Sequence, residues 1–400
     1  MRNIKTILNR INPKQLNLSA LEFMFWATFA AYYPFTVIFL QDKGLSNTAI
    51  GTILSINSFI VIFAQPFWGM ISDRIRSVKR VFLLCIIIST IVIQFFPVIP
   101  SALGMGLLLA TLTIFESPLG PLMDSWVIQQ IRNEQDLSYG SIRLWGSLGY
   151  SLFAYIFGLI VDTAPMHYNF IIFAVMAIIT ILITRNIKDE GSASSISFRD
   201  MKISKLLKNY SYITFLLFSI VIYIPHRASF SFLPNLLLAV GASPGTQGIA
   251  SAVMAFSEIP LFLAGHKLLK RYKPIHLILA SALFFLLRQV AYLTAATPQQ
   301  VIWAQLFHGP SFALFLNGAV YYIDSLAPDE LKSTAQTLAT SLYGGVSGIL
   351  ANYGGGWVID NLGIRKLYSI GIYAIIIVTL LFMASLFLPR TVQSKNSNPM

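Results

Sequence analysis

Long apolar segments, separated by short polar ones, follow each other along almost the whole chain. A helix that spans a membrane needs about 20 mostly apolar residues, and twelve segments meet this requirement. They lie near residues 18–40, 49–71, 81–98, 102–130, 141–161, 168–185, 211–239, 247–269, 275–295, 300–324, 334–357 and 366–388. The first segment is too long for the apolar region of a cleaved signal peptide. The pattern therefore predicts an all-α integral membrane protein with twelve transmembrane helices.

The composition supports this prediction and excludes several functional classes. The chain has 400 residues, of which 56% are hydrophobic and 11% are charged, whereas soluble domains carry about 25% charged residues. The formal net charge of +12 does not indicate a nucleic-acid binder, because the basic residues form short runs between apolar segments. The single cysteine, Cys85, excludes an intramolecular disulfide and a cysteine-based metal site. We expect no cofactor, no metal and no nucleic-acid partner.

The distribution of Lys and Arg predicts the orientation in the membrane. One set of connections between the segments contains 22 of the 28 basic residues, and the opposite set contains 3. Basic residues are concentrated in cytoplasmic loops, so we expect a multi-pass protein of the cytoplasmic (inner) membrane with both termini in the cytoplasm. The remaining three basic residues, Arg143, Arg227 and Arg288, lie inside predicted spans.

A polar stretch in the middle of the chain divides the twelve segments into two groups of six. We predict a cytoplasmic segment (1–17), a first six-helix bundle (18–185), a cytoplasmic linker (186–210), a second six-helix bundle (211–388) and a cytoplasmic tail (389–400). Glycines repeat between the halves: Gly44 and Gly51 correspond to Gly241 and Gly248 at an offset of 197 residues. Gly69 and Gly265 follow at an offset of 196. The repeat predicts two pseudo-symmetric bundles produced by a parallel duplication.

The connection between the second and third segments, GMISDRIRSVKR (69–80), resembles the major facilitator signature G-x-x-x-D-[RK]-x-G-[RK]-[RK]. Gly69, Asp73 and Arg74 match it, while the second glycine is replaced at Ile75 or displaced. We expect Gly69 to allow close approach of a neighbouring helix and Asp73 to form a contact of a cytoplasmic gate. The alternative interpretation is a basic loop in which Asp73 only offsets local charge.

Residues 116–150 resemble the signature of the 3-phenylpropionate transporter and oligosaccharide–proton symporter (lactose permease-like) group. The specific parts are SPLGPLMD (117–124) and YGSIRLWGS (139–147). The resemblance implies the major facilitator fold of twelve helices in two six-helix bundles. It also implies that Asp124 and Arg143 contact substrate hydroxyls, with a purely structural ion pair as the alternative. Tyr150 falls where the group has a tryptophan that stacks on a sugar ring.

Ionisable groups at bilayer depth are costly, by at least about 2.5–3.5 kcal/mol on insertion scales, and therefore usually functional. In the second half, the resemblance implies that Glu258, Arg288 and His308 couple proton movement to transport. Glu258 is the expected proton carrier, with Asp124 second. His308 is either a substrate ligand or a polar contact between helices.

His226 and Arg227 adjoin each other in the seventh segment. Arg227 would suit an anionic substrate, or it pairs with Glu258, which is the interpretation we favour from sequence. Glu22 and Asp324 are interpreted as interfacial. Near the middle of the fourth segment, Pro118 and Pro121 predict an irregular helix, and Pro310 predicts the same in the tenth.

These features favour a monomeric secondary transporter that moves a small polar solute, such as a sugar, nucleoside or aromatic acid, in symport with protons. One alternative is a proton-driven efflux pump for amphipathic compounds. A membrane enzyme acting on lipid is the other. Because the sequence contains no cluster of metal ligands, no pair of catalytic acids and no nucleophile elbow, we expect that the protein is not an enzyme.

Overall fold

The chain forms two successive sets of six long helical segments. The computed structural model describes residues 12–132, 134, 137, 139–189, 204–328 and 331–387. Most of the predicted 1–17 segment, the middle of the predicted linker and the predicted tail lie outside these residues. The first six segments are α1 (Pro13–Asp42), α2 (Asn47–Arg74), α3 (Val78–Val98), α4 (Ala102–Ile131), α5 (Tyr139–Thr163) and α6 (Tyr168–Thr184).

The second set begins after a short helix, Ser204–Leu207. It comprises α7 (Tyr210–Ser231, continued as Leu233–Ala239), α8 (Thr246–Arg271), α9 (Pro274–Thr294), α10 (Pro298–Ala304, continued as His308–Leu326), α11 (Lys332–Ser341, continued as Ser347–Leu362) and α12 (Ile364–Phe387). Within the described residues, nine helices are long and apolar enough to cross a membrane by themselves. The others are α6, which has 17 residues, and α10 and α11, which are interrupted. The predicted all-helical fold is confirmed.

Local sequence determines where several helices begin and break. The hydroxyls of Ser46, Ser77 and Ser101 accept hydrogen bonds from backbone N–H groups in the first turns of α2, α3 and α4, as N-cap residues do. The helix of α4 stops at Glu116 and restarts at Leu119. A 3₁₀ turn at Gln305–Phe307 interrupts α10 just before Pro310. Both irregularities were expected from the prolines, because proline cannot donate the i→i−4 hydrogen bond.

Buried apolar side chains form separate clusters in the two halves. The first cluster comes almost entirely from α1–α6, and the other two come from the C-terminal half. Many large apolar side chains point outwards instead, including Phe63, Leu103, Tyr373 and Phe387, which are 61%, 75%, 67% and 87% exposed. An apolar surface of this extent is what a bilayer covers.

Glycines bring the two halves into direct contact at one end of the bundle. We call the end with Pro13 and Arg74 the near side and the end with Asp42 and Asn47 the far side. A Cβ atom at Gly51 of α2 would lie 2.2 Å from the Asn352 carbonyl oxygen of α11, and one at Gly248 of α8 would lie 2.3 Å from the Ala154 carbonyl oxygen of α5. The sequence repeat thus corresponds to two equivalent contacts, α2 with α11 and α5 with α8.

Two carboxylates reinforce these contacts at the far side. Asp360 of α11 accepts hydrogen bonds from the backbone N–H groups of Asn47 (3.2 Å) and Thr48 (2.7 Å) and from both side chains (2.7 and 2.6 Å) at the start of α2. Asp162 of α5 accepts from the Ser243 hydroxyl (2.7 Å) and the Gly245 N–H (2.8 Å) before α8. We call these contacts the α2–α11 cap and the α5–α8 cap.

Among the described residues, the hydrogen bonds that join the halves all lie between the far side and the midpoints of the helices. The deepest include the bond from Ser55 to the Ile349 carbonyl and the bond from Ser151 to the Ala252 carbonyl, both 2.8 Å long. The cleft between the halves is therefore closed at the far side.

The α2–α3 connection corrects two sequence expectations. Within the described ranges, no atom outside its own helix lies within 4 Å of the position that a Cβ atom of Gly69 would occupy, so Gly69 does not serve a close contact with any described helix. The residue with left-handed backbone is Arg76 (φ 51°), whereas Ile75 has φ −87°. The expected glycine is thus replaced at Arg76 rather than at Ile75, because Arg76 follows the C-cap, where a left-handed residue ends a helix.

Candidate functional site

Asp124 of α4 and Arg143 of α5 come together as the sequence predicted. Arg143 Nε lies 4.0 Å from Asp124 Oδ1, and the two side chains are 28% and 37% exposed. That distance is too long for a hydrogen bond, and Asp124 Oδ1 has no hydrogen-bond partner among the described residues. The Tyr139 hydroxyl lies beside the Asp124 carboxylate. The pair is therefore loose and partly exposed, and both groups can form further hydrogen bonds.

Glu22 and Trp26 of α1 complete this cluster, which corrects the interfacial interpretation of Glu22. Glu22 is 0% exposed, and the Trp26 Nε1–H donates to its Oε2 at 3.1 Å. The Arg143 guanidinium lies 4.5 Å from the centroid of the Trp26 ring, a cation–π distance. We call Glu22, Trp26, Asp124 and Arg143 the N-half cluster.

A second cluster surrounds Arg288 of α9, which is 1% exposed. Its Nε donates to the Tyr292 hydroxyl (2.7 Å) and its Nη2 to Gln305 Oε1 (3.1 Å). Its Nη1 lies 2.9 Å from Nδ1 of His308 and 3.3 Å from Nδ1 of His226. His308 Nε2 lies 2.9 Å from Glu258 Oε1. We call these six residues the Arg288 network.

The hydrogen-bond chemistry of arginine determines the form of His308. A guanidinium has only donors, so the Nδ1 atom that faces Arg288 accepts. Its Nε2 then carries the ring proton and donates to the Glu258 carboxylate. While both bonds exist, His308 is neutral and Glu258 Oε1 carries no proton. A second proton on His308 would break its bond to Arg288, and a proton on Glu258 Oε1 would break its bond to His308.

The other predicted site residues lie around these clusters. Arg227 and Glu258 do not form the expected ion pair, because Glu258 pairs with His308. Arg227 instead lies beside Gly344, within a π-helical turn of α11 (Leu342–Val346), and its Nε has no hydrogen-bond partner in the part of the chain that the structure describes. Its position one residue after His226 turns it away from the Arg288 network.

Tyr150 is 9% exposed and its hydroxyl lies beside Ser251 of α8. It lies where α5 contacts α8, and not on open cleft. His226 and His308 are 5% and 3% exposed, so their rings are committed to Arg288 in this conformation.

Sequence reasoning missed Glu22, Trp26, Tyr292 and Gln305. Glu22 and Trp26 are four residues apart, as are Arg288 and Tyr292, and this spacing brings side chains together on one face of a helix. The spacing could have indicated both pairs. Nothing comparable indicates Gln305, because the Arg288 and Tyr292 groups that donate to its Oε1 lie on another helix.

Comparisons with known proteins agree with this architecture. The family described as MFS_1 like family matches residues 15–370. The chain belongs to this family. It is a multi-pass major facilitator transporter of small solutes, and it is not an enzyme.

Relatives of this major facilitator protein differ in what they transport. A maltose permease of Geobacillus stearothermophilus is 28% identical over 86% of this chain and 88% of its own length. A probable 3-phenylpropionic acid transporter of Escherichia coli (strain K12) is 22% identical over 83% and 88%. The crystal structure of the nucleoside transporter NupG aligns with a TM-score of 0.81 and 17% identity, over 94% of this chain and 100% of that one. This last likeness supports the fold.

Proposed function

We propose that this transporter is a proton-coupled symporter of a small solute that carries several hydroxyl groups, such as a sugar. The observation that carries the proposal is the loose contact between Asp124 and Arg143. A carboxylate accepts hydrogen bonds and a guanidinium donates them, so together they match the mixed donors and acceptors of a polyol. The similarity to a maltose permease over most of the chain supports the same substrate class.

Proton coupling is proposed through Glu258. Because His308 donates to Glu258 Oε1 only while that oxygen carries no proton, a proton arriving there releases His308 and changes what Arg288 contacts. Arg143 is also close enough to Glu258 for its charge to act on that carboxylate. Arg143 thus links the proposed substrate group Asp124, in one half, to the proposed proton group in the other.

The movement is proposed to be a rocking of two bundles, residues 18–185 and 211–388, about this central site, in a monomer. The separate apolar cores of the halves support rigid-body movement. With both termini in the cytoplasm, as the basic residues favour, the far side faces outwards and this structure is closed to the outside. Asp73 and Arg74 then lie at the cytoplasmic gate.

A second candidate substrate is a solute with a carboxylate, such as a sugar acid or an aromatic acid. It is favoured by Arg227, which makes no ion pair with any acidic residue in the part of the chain that the structure describes. The 3-phenylpropionic acid transporter among the relatives supports this class.

The test uses the full chain in proteoliposomes with a panel of sugars, nucleosides and phenyl carboxylates, while proton influx is recorded. We expect a sugar to drive influx and Asp124→Ala and Arg143→Ala each to abolish its uptake. A matched control is Asp324→Ala, which removes an exposed carboxylate paired with Lys332 at 3.1 Å and should transport normally. Normal uptake by Asp124→Ala or Arg143→Ala would refute the substrate site.

Glu258→Gln separates coupling from binding. We expect this variant to exchange internal for external solute but not to accumulate solute against a gradient, since the amide cannot carry the proton. Unchanged accumulation would exclude Glu258 as the proton carrier.

A further inference from the structure

The Trp26 ring is fixed from its edge and from its face. Its N–H donates to the buried Glu22 carboxylate at 3.1 Å, and the Phe25 ring packs edge-on with centroids 5.3 Å apart. Gly146 of α5 leaves the space that the ring occupies, because a Cβ atom there would lie 2.4 Å from Trp26 Cδ1 and 2.8 Å from Arg143 Nη1. A half-buried tryptophan is thus held in one orientation beside the substrate-site arginine.

Burying the Glu22 carboxyl group as the partner of the Trp26 N–H is energetically unfavourable. Glu22 is 0% exposed, and its Oε1 has no hydrogen-bond partner among the described residues. Burying a carboxyl group whose hydrogen-bonding capacity is not satisfied is unfavourable. The charged groups that act on it are Arg143 and Asp124, on the two helices that carry the substrate site. The arrangement makes sense if the position of the ring matters for those two residues.

The contact with Trp26 bears directly on the Asp124–Arg143 pair. An arginine and an aspartate this close usually form a bidentate pair with short hydrogen bonds, yet here Nε and Oδ1 remain 4.0 Å apart. The guanidinium instead lies over the indole at 4.5 Å. The ring attracts the cation electrostatically and so competes with Asp124 for it.

We propose that Trp26 is a positioning residue that holds Arg143 away from Asp124 in the empty transporter, with Glu22 fixing the ring for this role. This inference rests on the proposed function. Both polar groups then remain available to solute hydroxyls, and binding does not first have to break a strong internal ion pair. Without the ring, Arg143 closes onto Asp124 and the site becomes self-paired.

A test without solute measures how fast phenylglyoxal, an arginine-specific reagent, modifies Arg143 in the full-length protein, read by peptide mass spectrometry. We expect Trp26→Leu to slow modification about fivefold, the effect of losing one cation–π contact. Trp26→Phe keeps a ring and should retain most of the rate. Glu22→Gln keeps an acceptor for the indole N–H and should also retain it, whereas Glu22→Leu should not.

Asp124→Asn added to Trp26→Leu should restore the rate, because an amide cannot form the ion pair. Modification of Arg365, which donates to backbone carbonyls at the far side, is the internal control and should not change. An unchanged Arg143 rate in Trp26→Leu, or Trp26→Phe behaving like Trp26→Leu, would overturn the proposal. So would a failure of Asp124→Asn to restore the rate.

The transport readout uses maltose, or whichever panel solute drives proton influx. Trp26→Leu should raise KM about fivefold with little change in maximal rate, because the cost falls on binding. A lower maximal rate at unchanged KM would contradict a positioning role. If no panel solute is transported, the symporter proposal fails, while the phenylglyoxal rates still decide whether Trp26 holds Arg143.

Discussion

Removing the α2–α11 cap should loosen the closed far side by a measurable amount. The Asp360 carboxylate satisfies two backbone N–H groups at the start of α2, which lack partners inside their own helix. It also accepts from the side chains of Asn47 and Thr48. All four bonds cross from one half to the other, so they exist only while the far side is closed. Asp360→Ala removes them without altering the near side.

The magnitude follows from what such caps contribute. Replacing an N-cap acceptor with alanine costs about 0.5–2 kcal/mol, typically about 1 kcal/mol. Asp360 is exposed, so water replaces part of the lost bonding and we take about 1 kcal/mol. Since about 1.4 kcal/mol changes an equilibrium constant tenfold, the open population should rise about fivefold.

The assay places a cysteine where only separation of α2 and α11 exposes it. Ser55 is 9% exposed and donates to the Ile349 carbonyl of α11. Ser55→Cys therefore reports separation of α2 and α11 through its labelling rate, with the native cysteine removed by Cys85→Ser. The maleimide labelling rate should increase about fivefold when Asp360→Ala is added. Asn361→Ala is the matched control, because Asn361 lies next in the chain and its side chain donates to the Trp357 carbonyl of its own helix.

Asp162 provides a comparison for the size of the increase in labelling rate. The α5–α8 cap has two hydrogen bonds where the α2–α11 cap has four, so Asp162→Ala, with Ser151→Cys as reporter, should give a smaller increase. An unchanged rate in Asp360→Ala, or an equal increase in Asn361→Ala, would show that the cap does not stabilise closure.

Three further predictions follow from single contacts. Gly51→Ala should hold the far side open and slow uptake severely, because its Cβ would lie 2.2 Å from a backbone oxygen. Gly69→Ala, whose Cβ would meet no described atom within 4 Å, should transport normally. Equal uptake by both variants would contradict the close contact at Gly51. Arg76→Gly should raise the free energy of unfolding by about 1 kcal/mol, and with it the unfolding temperature, since glycine relieves the left-handed backbone strain. Ile75→Gly should lower the unfolding temperature. The reverse order in a thermal scan would contradict the left-handed backbone at Arg76. Arg288→Lys should prevent gradient-driven accumulation of the solute, because an ammonium cannot reproduce the planar guanidinium that contacts Tyr292, Gln305 and both histidines. Normal accumulation would show that the Arg288 network is dispensable for coupling.

The helices were predictable because their signals are local. Apolar length placed all twelve segments, and Pro118 and Pro310 indicated the breaks in α4 and α10. The glycine repeat was also informative: Gly44 and Gly241 are both left-handed, at φ 82° and 80°, and Gly51 and Gly248 make equivalent contacts. Each half needs one glycine with left-handed backbone and one that allows a close helix contact. The repeated spacing of the glycines therefore predicted that the two places correspond in the structure.

Partners across helices were less predictable. The Asp124–Arg143 pair was found because a resemblance named both residues, but the charge of Arg227 gave no indication of which helix it faces. The error on Glu22 has a clear cause: nine residues after Pro13, it is near enough to the helix start to be taken as interfacial. Its burial depends on α5, through Arg143 and Gly146, which no local pattern reveals.

The three intramembrane arginines, equivalent in the sequence, have distinct environments in the structure. Arg288 is fully buried and contacts four neutral groups, so its positive charge is balanced only through His308, by Glu258. Arg143 is partly exposed and its charge also acts on Glu258. One carboxylate therefore serves as counter-charge to two cations in different halves. If Glu258 takes up the proton, as we propose, both arginines lose that shared counter-charge at once. Arg143 then has only the carboxyl groups of its own half, Glu22 and Asp124, and the solute.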